Sequence, residues 1–383
     1  MNKRRAIILA LVLAILLFIS GFPVKRALLS ALVLSELLQF DSHGWMERVA
    51  SPPRIKEVSY AGGMGAVKAD LYLPSGDQKH SGILLVHGVI DTGKDDPRLK
   101  RLAAILCQAG FVVFVPDFKG MRSFHISPSD IDEIQEAFEQ FISRGEILPN
   151  SSGLFGFSYG AGPTIIAACR PAIRQKVRFL VSFGGYYELK DVLSYIATGR
   201  FDFEGKRYYR MPQEYGKWVF LANNLNMVGS SRDREVLRRI VEVKLRDENA
   251  TIDRFLSELG GEGINILNLL SHVDPAQTET FIQKLPPSVQ SVIESLSVAR
   301  VLKNLQANLI LAHGEDDDLI PFTETMRLAR AAPEPQKVYC QILKTYSHVD
   351  PEQRPLTVET LFTFYLPEGL KLYRLVYHLM GYR

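Results

Sequence analysis

The chain has 383 residues, 46% of them hydrophobic and 23% charged, which is enough to bury a sizeable α/β core with an insertion and excludes a disordered chain. Its 45 lysines and arginines nearly cancel its 42 aspartates and glutamates, leaving +3, so no broad basic surface for nucleic acid is expected. Cys107, Cys169 and Cys340 stand far apart without CxxC or Cys/His spacing, which argues against a zinc site or a disulfide framework and for buried thiols.

The first segment is apolar. Lys3, Arg4 and Arg5 precede a run from residue 6 to about residue 24, interrupted by Ser20, Gly21 and Pro23 and closed by Lys25 and Arg26. At 1.5 Å per residue such a run reaches across a hydrocarbon core about 30 Å thick. No small-x-small cleavage site follows it, so the expectation is an uncleaved single-pass membrane anchor. The larger positive cluster precedes the run, which places the rest of the chain on the extracytoplasmic side. Residues 27–40 are a second apolar-rich segment that could extend the helix, lie in the interface or pack on the domain. Residues 1–40 are therefore read as one anchoring unit.

Alternating runs at 55–60 and 66–73, separated by Ala61-Gly62-Gly63-Met64-Gly65, predict a hairpin at the entry to a sheet. From Gly82 the rhythm becomes strand, loop, helix. Strands are predicted at 82–86, 111–115, 153–157 and 177–183, with helical spacing at 99–109, 130–144 and 159–170. Repeated βα units with continuously apolar strands imply the α/β class, with a mainly parallel sheet covered on both faces. From about 186 to 297 the rhythm stops, and helix patterns such as 233–245 and 251–259 replace it. A cluster of cations and aromatics at 200–210 reads as a solvated surface, with the rim of a substrate entrance as the alternative. Strands resume at 308–312 and 338–343. The division that follows is a core at 50–186, a helical cap inserted at 187–300 between late core strands, and the rest of the core at 301–383. The pattern at 370–380 is expected to pack against the sheet.

Gly156-Phe157-Ser158-Tyr159-Gly160 fits the G-x-S-x-G elbow, in which a strand reverses into a helix at a serine and side chains two residues either side would collide. Apolar strand before it and helix pattern after it supply the required context. A serine hydroxyl needs a base, and the base needs an acid to fix its tautomer. The chain order serine, acid, histidine is met. The strand at 308–312 leads into His313-Gly314-Glu315-Asp316-Asp317-Asp318, and the strand at 338–343 leads into Ser347-His348. His272 has nearly the same surroundings, Ser271-His272-Val273-Asp274-Pro275 against Ser347-His348-Val349-Asp350-Pro351, but it precedes the acid, so His348 is preferred. His87 and His313 read as side chains packed at strand ends.

With these residues in place, the chain from about Ile55 onward resembles the α/β-hydrolase superfamily, and is similar to its lipase, esterase and dienelactone-hydrolase-like branches with a cap between the sixth and seventh strands. In that family the acid loop often reads G-x-x-D-x-x-x-P, matched by Gly314, Asp317 and Pro321; the resemblance implies Asp317 as the acid rather than Asp316 or Asp318. Oxyanion donors are expected from the Tyr159 N–H and from the loop His87-Gly88-Val89-Ile90. Resemblance to HG-x loops implies Val89, with Ile90 in reserve. Asp117 to Ser123 resembles a loop that is usually structural, with Lys119 and Met121 departing from it, so Asp117 is left out of the set. Gly93-Lys94 lacks the rest of a phosphate loop.

The expected function is a serine hydrolase cleaving an ester or related acyl bond through Ser158, His348 and Asp317. No metal and no organic cofactor is implied. The expected partners are a small acyl substrate, lipophilic if anchor and cap are taken together, and a membrane through the N-terminal helix. Peptidase, thioesterase or acyltransferase chemistry on the same residues is an alternative. So are a non-catalytic binding module with the cap over Ser158 and a membrane-assembly protein acting through its N-terminal helices.

Overall fold

A computed structural model describes residues 24–38, 45–63, 65–211, 213–271, 274–348, 354–355 and 357–383. Its strands are β1 (Arg54–Gly62), β2 (Gly65–Leu73), β3 (Gly82–Val86), β4 (Val112–Pro116), β5 (Gly153–Phe157), β6 (Phe179–Phe183), β7 (Arg200–Phe203), β8 (Lys206–Tyr209), β9 (Asn308–Gly314) and β10 (Val338–Leu343). Eight of them make one sheet in the order β1-β2-β4-β3-β5-β6-β9-β10. β2 pairs antiparallel with β1 and β4, and the other pairings are parallel.

The central strands are apolar along their whole length because both faces are covered. Ile83 and Leu85 join Phe155, Val181 and Ile310 in one core, while Leu84 and Val86 join Leu154, Leu180 and Leu311 in the other. Each fully buried Leu, Ile or Phe contributes about 1.5–3 kcal/mol, so the period-two division of these strands between two cores fixes their register. β3 and β5 are neighbours in the middle of the sheet, and their carboxyl ends bring the loops after residues 86 and 157 together. That is where open parallel sheets place their ligands.

The expectation of a single-pass anchor is corrected. Among the described residues no helix is long and apolar enough to cross a membrane. Residues 6–23, nearly all of the run that suggested one, lie outside the described residues. The following segment forms the helix Val24–Leu38, which packs on the domain. Val33 is 1% exposed and shares a core with Leu375, Val376 and Leu379 of the C-terminal helix Leu366–Met380. Its polar groups find protein partners: Arg26 Nε donates to Tyr377 O at 2.6 Å and the guanidinium lies 3.9 Å from that ring's centroid, while Glu36 Oε1 accepts the Met46 N–H at 2.6 Å. An apolar face with buried, satisfied Ser30 and Glu36 is a face made for protein. The placement of the chain across a membrane falls with the anchor.

Between β6 and β9 lie the helices Leu189–Thr198, Glu214–Asn224, Ser231–Arg246, Asp253–Leu256, Gly261–Ser271, Pro275–Gln283 and Pro287–Ser295. Sequence reading finds no clear buried strand here; β7 and β8 form a short, largely exposed hairpin. Its turn residues Glu204 and Gly205 both have positive φ, 53° and 73°, as a two-residue hairpin turn requires. β7 does alternate charged and aromatic residues, Arg200-Phe201-Asp202-Phe203, but at four residues each and mostly exposed, these strands are too short to stand out in the chain. His272 lies outside the described residues.

Candidate active site

β5 ends at Phe157, and Ser158 adopts φ 51° before a 3₁₀ turn and the helix Ala161–Ala168. A non-glycine residue in this region is strained by about 1–3 kcal/mol, and the flanking glycines show what holds it there. A Cβ on Gly156 would stand 2.6 Å from Ala161 Cα, and one on Gly160 2.2 Å from His87 O. Chain reversal at the serine thus needs close backbone approach on both sides. Tyr159 next to it is buried, and its hydroxyl donates to Asp130 Oδ2 at 2.7 Å; burial lifts the Asp130 carboxyl to about 6 against the pull of that bond.

Three expected residues meet. His348 Nε2 is 2.8 Å from Ser158 Oγ, and His348 Nδ1 is 2.5 Å from Asp317 Oδ2. Because an ionised carboxylate only accepts, Nδ1 carries the proton and Nε2 is left to accept from the serine. β9 lies two strands from β5, about 10 Å along the sheet, so the loops bearing Asp317 and His348 must lean over the end of β6. Gly184 lies beneath them at φ 65°, where a Cβ would be in ordinary contact, 3.5 Å from His348 Cε1 and 3.7 Å from Asp317 Oδ2. Close approach needs Gly314 at the end of β9, where a Cβ would meet Tyr346 O at 2.3 Å.

Asp317 is 1% exposed and fully engaged. Its Oδ1 accepts the Leu319 and Ile320 N–H groups at 2.8 Å each. Its Oδ2 faces His348 and, at 3.1 Å, Nε2 of His313. Burial alone would raise its pKa; the charge of His348, aided by the His313 and His348 hydrogen bonds, outweighs it and holds the carboxyl well below the usual range. His313, read from sequence as packing at a strand end, is therefore a second imidazole on the acid. Its Nδ1 lies 2.7 Å from Thr325 Oγ1 and its Nε2 2.9 Å from Ile320 O.

On the other side of the serine, a Cβ on Gly88 would lie 3.0 Å from Ser158 Cβ, so the loop carrying Val89 and Ile90 runs past the hydroxyl. His87 braces it: Nδ1 donates to Gly88 O at 2.7 Å and Nε2 accepts the Phe118 N–H at 3.1 Å. Arg122 ties the next loop in, bonding Asp117 Oδ2 at 3.1 Å and Asp91 O at 2.9 Å. Asp117 thus pairs with Arg122. Lys94 is buried against Asp70, 3.0 and 3.1 Å from its two oxygens.

Sequence reasoning missed Arg210, which leaves the base of β8 to grip the acid loop. Nη1 donates to Glu315 O at 3.0 Å, and Nη2 pairs with Asp316. Only the cluster of cations at 200–210 hinted at it. Burial raises the thiols of Cys107 and Cys169 to about 12 and that of Cys340 to about 11, which makes them poor nucleophiles. A groove of about 460 Å³ between Tyr187, Phe203, Gly205, Arg327 and Arg330 is not lined by Ser158, His348 or Asp317; its arginines are paired with Asp191 and Glu204. Among the described residues no group of three His, Cys, Asp or Glu side chains is arranged to hold a metal ion.

No protein-family model and no curated protein matches the chain. Among solved structures it is similar to the uncomplexed acylaminoacyl peptidase of Pyrococcus horikoshii, at 12% identity and a TM-score of 0.51, over 90% of this chain and 43% of that one. An acylaminoacyl peptidase in complex with Z-Gly-Gly-Phe-chloromethyl ketone aligns at 13% identity and a TM-score of 0.50, over 89% of this chain and 43% of that one. The chain spans less than half the length of these proteins. Identities this low speak to the path of the backbone alone. Together with the strand order and the mostly parallel pairing, they show that the chain has the α/β-hydrolase fold.

Proposed function

We propose that the chain is a serine hydrolase of acyl bonds, with an ester as its preferred class. The observation that carries this reading is the continuous line from Ser158 Oγ through His348 to Asp317, drawn from three loops at one sheet edge. In it Ser158 attacks the acyl carbonyl while His348 Nε2 takes its proton. Asp317 stays ionised and stabilises the imidazolium. The tetrahedral oxyanion is held by the Tyr159 N–H, at the start of the turn into a helix, and by the Val89 N–H beyond Gly88, each such donor being worth about 3 kcal/mol. His348 then returns the proton to the leaving group, and water repeats the sequence on the acyl-enzyme. The segment 187–300 acts as a cap over this edge in the same reading. The likeness to acylaminoacyl peptidases supports an amide as the second scissile bond to consider.

The test is labelling of the purified full chain by a fluorophosphonate, with mass spectrometry of the modified peptide. Modification at Ser158, abolished in Ser158→Ala, is the expected result. A folded protein that stays unlabelled would instead be a binding module on a hydrolase fold. Turnover of p-nitrophenyl esters of graded chain length, set against acyl-amino-acid p-nitroanilides, then separates ester from amide preference.

A further inference from the structure

The loop of residues 315–318 is held from two directions. From the core, Glu315 N–H donates to Leu343 O at 2.7 Å, and the Leu319 and Ile320 amides fix Asp317 Oδ1. From the segment between β6 and β9 come three more residues. Arg210 Nη1 donates to Glu315 O and, at 3.5 Å, to Asp317 O, while Nη2 pairs with Asp316. Tyr195 donates its hydroxyl to Asp317 O at 3.3 Å. Gln213 Nε2 donates to Asp318 Oδ2 at 2.8 Å. Both described donors to the Asp317 carbonyl therefore lie outside the core.

These groups are themselves anchored. Arg210 N–H donates to Gly199 O at 2.8 Å, closing the base of the β7–β8 hairpin. Tyr195 is fully buried, edge-on to Phe201 of β7 with 5.4 Å between ring centroids. A guanidinium presents five N–H groups in a planar fork, so one side chain reaches two carbonyls and a carboxylate together, as an ammonium does not. Asp316 neutralises the arginine, so the loop receives directed hydrogen bonds without a net charge beside Asp317. The ion pair is partly exposed and adds little stability. Its consequence is geometric: Asp317 Oδ2 must stay 2.5 Å from His348, and a misplacement of about 1 Å in such a site costs about 100-fold in rate.

We infer that Arg210 is a positioning residue acting through Asp317. It ties the segment between β6 and β9 to the acid, so that Ser158, His348 and Asp317 are aligned only while that segment is seated on the loop. This rests on the roles proposed above for those three residues.

The experiment uses the full chain with Arg210→Gln, Arg210→Lys and Asp316→Asn. It reads the rate of Ser158 modification by a fluorophosphonate, kcat and KM on p-nitrophenyl acetate, and Tm. Arg210→Gln is expected to slow labelling and kcat by about 10- to 100-fold with KM changed less than about twofold and Tm little altered. Arg210→Lys recovers part of the loss, and Asp316→Asn loses about two- to fivefold. Labelling of Arg210→Gln at the unsubstituted rate overturns the inference, as does a raised KM with unchanged kcat, which would make Arg210 a substrate contact. If Arg210→Gln does not fold, Asp316→Asn decides, and an unchanged labelling rate there overturns it. Failure of the unsubstituted chain to label at all would refute the catalytic reading itself, and is distinguishable because it needs no substitution.

Discussion

Asp316, Asp317 and Asp318 are consecutive, and the fold gives them three different environments. Asp316 turns out to Arg210 and Asp318 to Gln213 at the surface. Asp317 turns inward, where two backbone amides and two imidazoles surround it. Its depressed pKa means that its ionised form contributes to stability above the ordinary carboxylate range, a contribution lost only as pH falls through the lower folded value. His348 Nδ1 therefore faces an anion across the neutral range. In Asp317→Asn the amide would offer an N–H to His348 Nδ1 and favour the wrong tautomer, and kcat on an activated ester is expected to fall by about 10⁴-fold. Asp318→Asn, on the surface, should stay close to the unsubstituted rate. Equal losses in the two variants would sink the assignment of the acid.

At the scale of elements, the helix Phe322–Ala331 is joined to the loop after β6 by two buried side chains, Thr325, whose hydroxyl donates to Gly185 O at 3.4 Å, and Glu324. Glu324 is 1% exposed, and its Oε2 accepts the Tyr187 and Glu188 N–H groups at 3.1 and 2.8 Å. Burial is the largest influence and lifts its pKa to about 7, the Glu188 amide opposing and Asp191 adding to the rise. A raised carboxyl binds its proton more tightly in the folded state, so this contribution is fully present below the unfolded value of 4.5 and is lost as pH climbs to about 7. Glu324→Gln keeps an acceptor and removes the charge. Its stability relative to the unsubstituted chain should rise between about pH 5 and pH 8, by about 1–3 kcal/mol. Urea unfolding at both pH values measures it, and a difference that stays flat or reverses would show that Glu324 titrates normally.

For the whole molecule, the two ends of the described chain close one face of the sheet together. The helix Val24–Leu38 and the C-terminal helix Leu366–Met380 share a core with Leu106, Phe111 and Phe179, on the face away from the helix that follows Ser158, whose Ile165 belongs to the other core. A charge at residue 33 would be buried in an apolar core. Val33→Asp is expected to lower unfolding free energy by about 2–4 kcal/mol while Ser158 in the folded fraction still reacts with a fluorophosphonate. An unchanged denaturation midpoint would mean that this helix does not stay docked in solution.

What sequence alone determined are the features written in short-range chemistry. The α/β class follows from continuously apolar strands such as 82–86 and 153–157, since a strand buried on both faces has no polar side to show. The elbow at Ser158 follows from glycines at fixed offsets, and the order of strand ends brings a late acidic loop and His348 to the same sheet edge as the serine, while the choice of Asp317 among three consecutive aspartates came from the resemblance of its loop to the family's pattern. Tertiary structure decided the rest. A run of apolar residues does not say whether lipid or protein covers it, and the helix at 24–38 found protein. A histidine at a strand end or an arginine in a charged cluster has no intrinsic partner; His313 and Arg210 acquire theirs only when chain segments far apart in sequence bring Asp317 within hydrogen-bond reach.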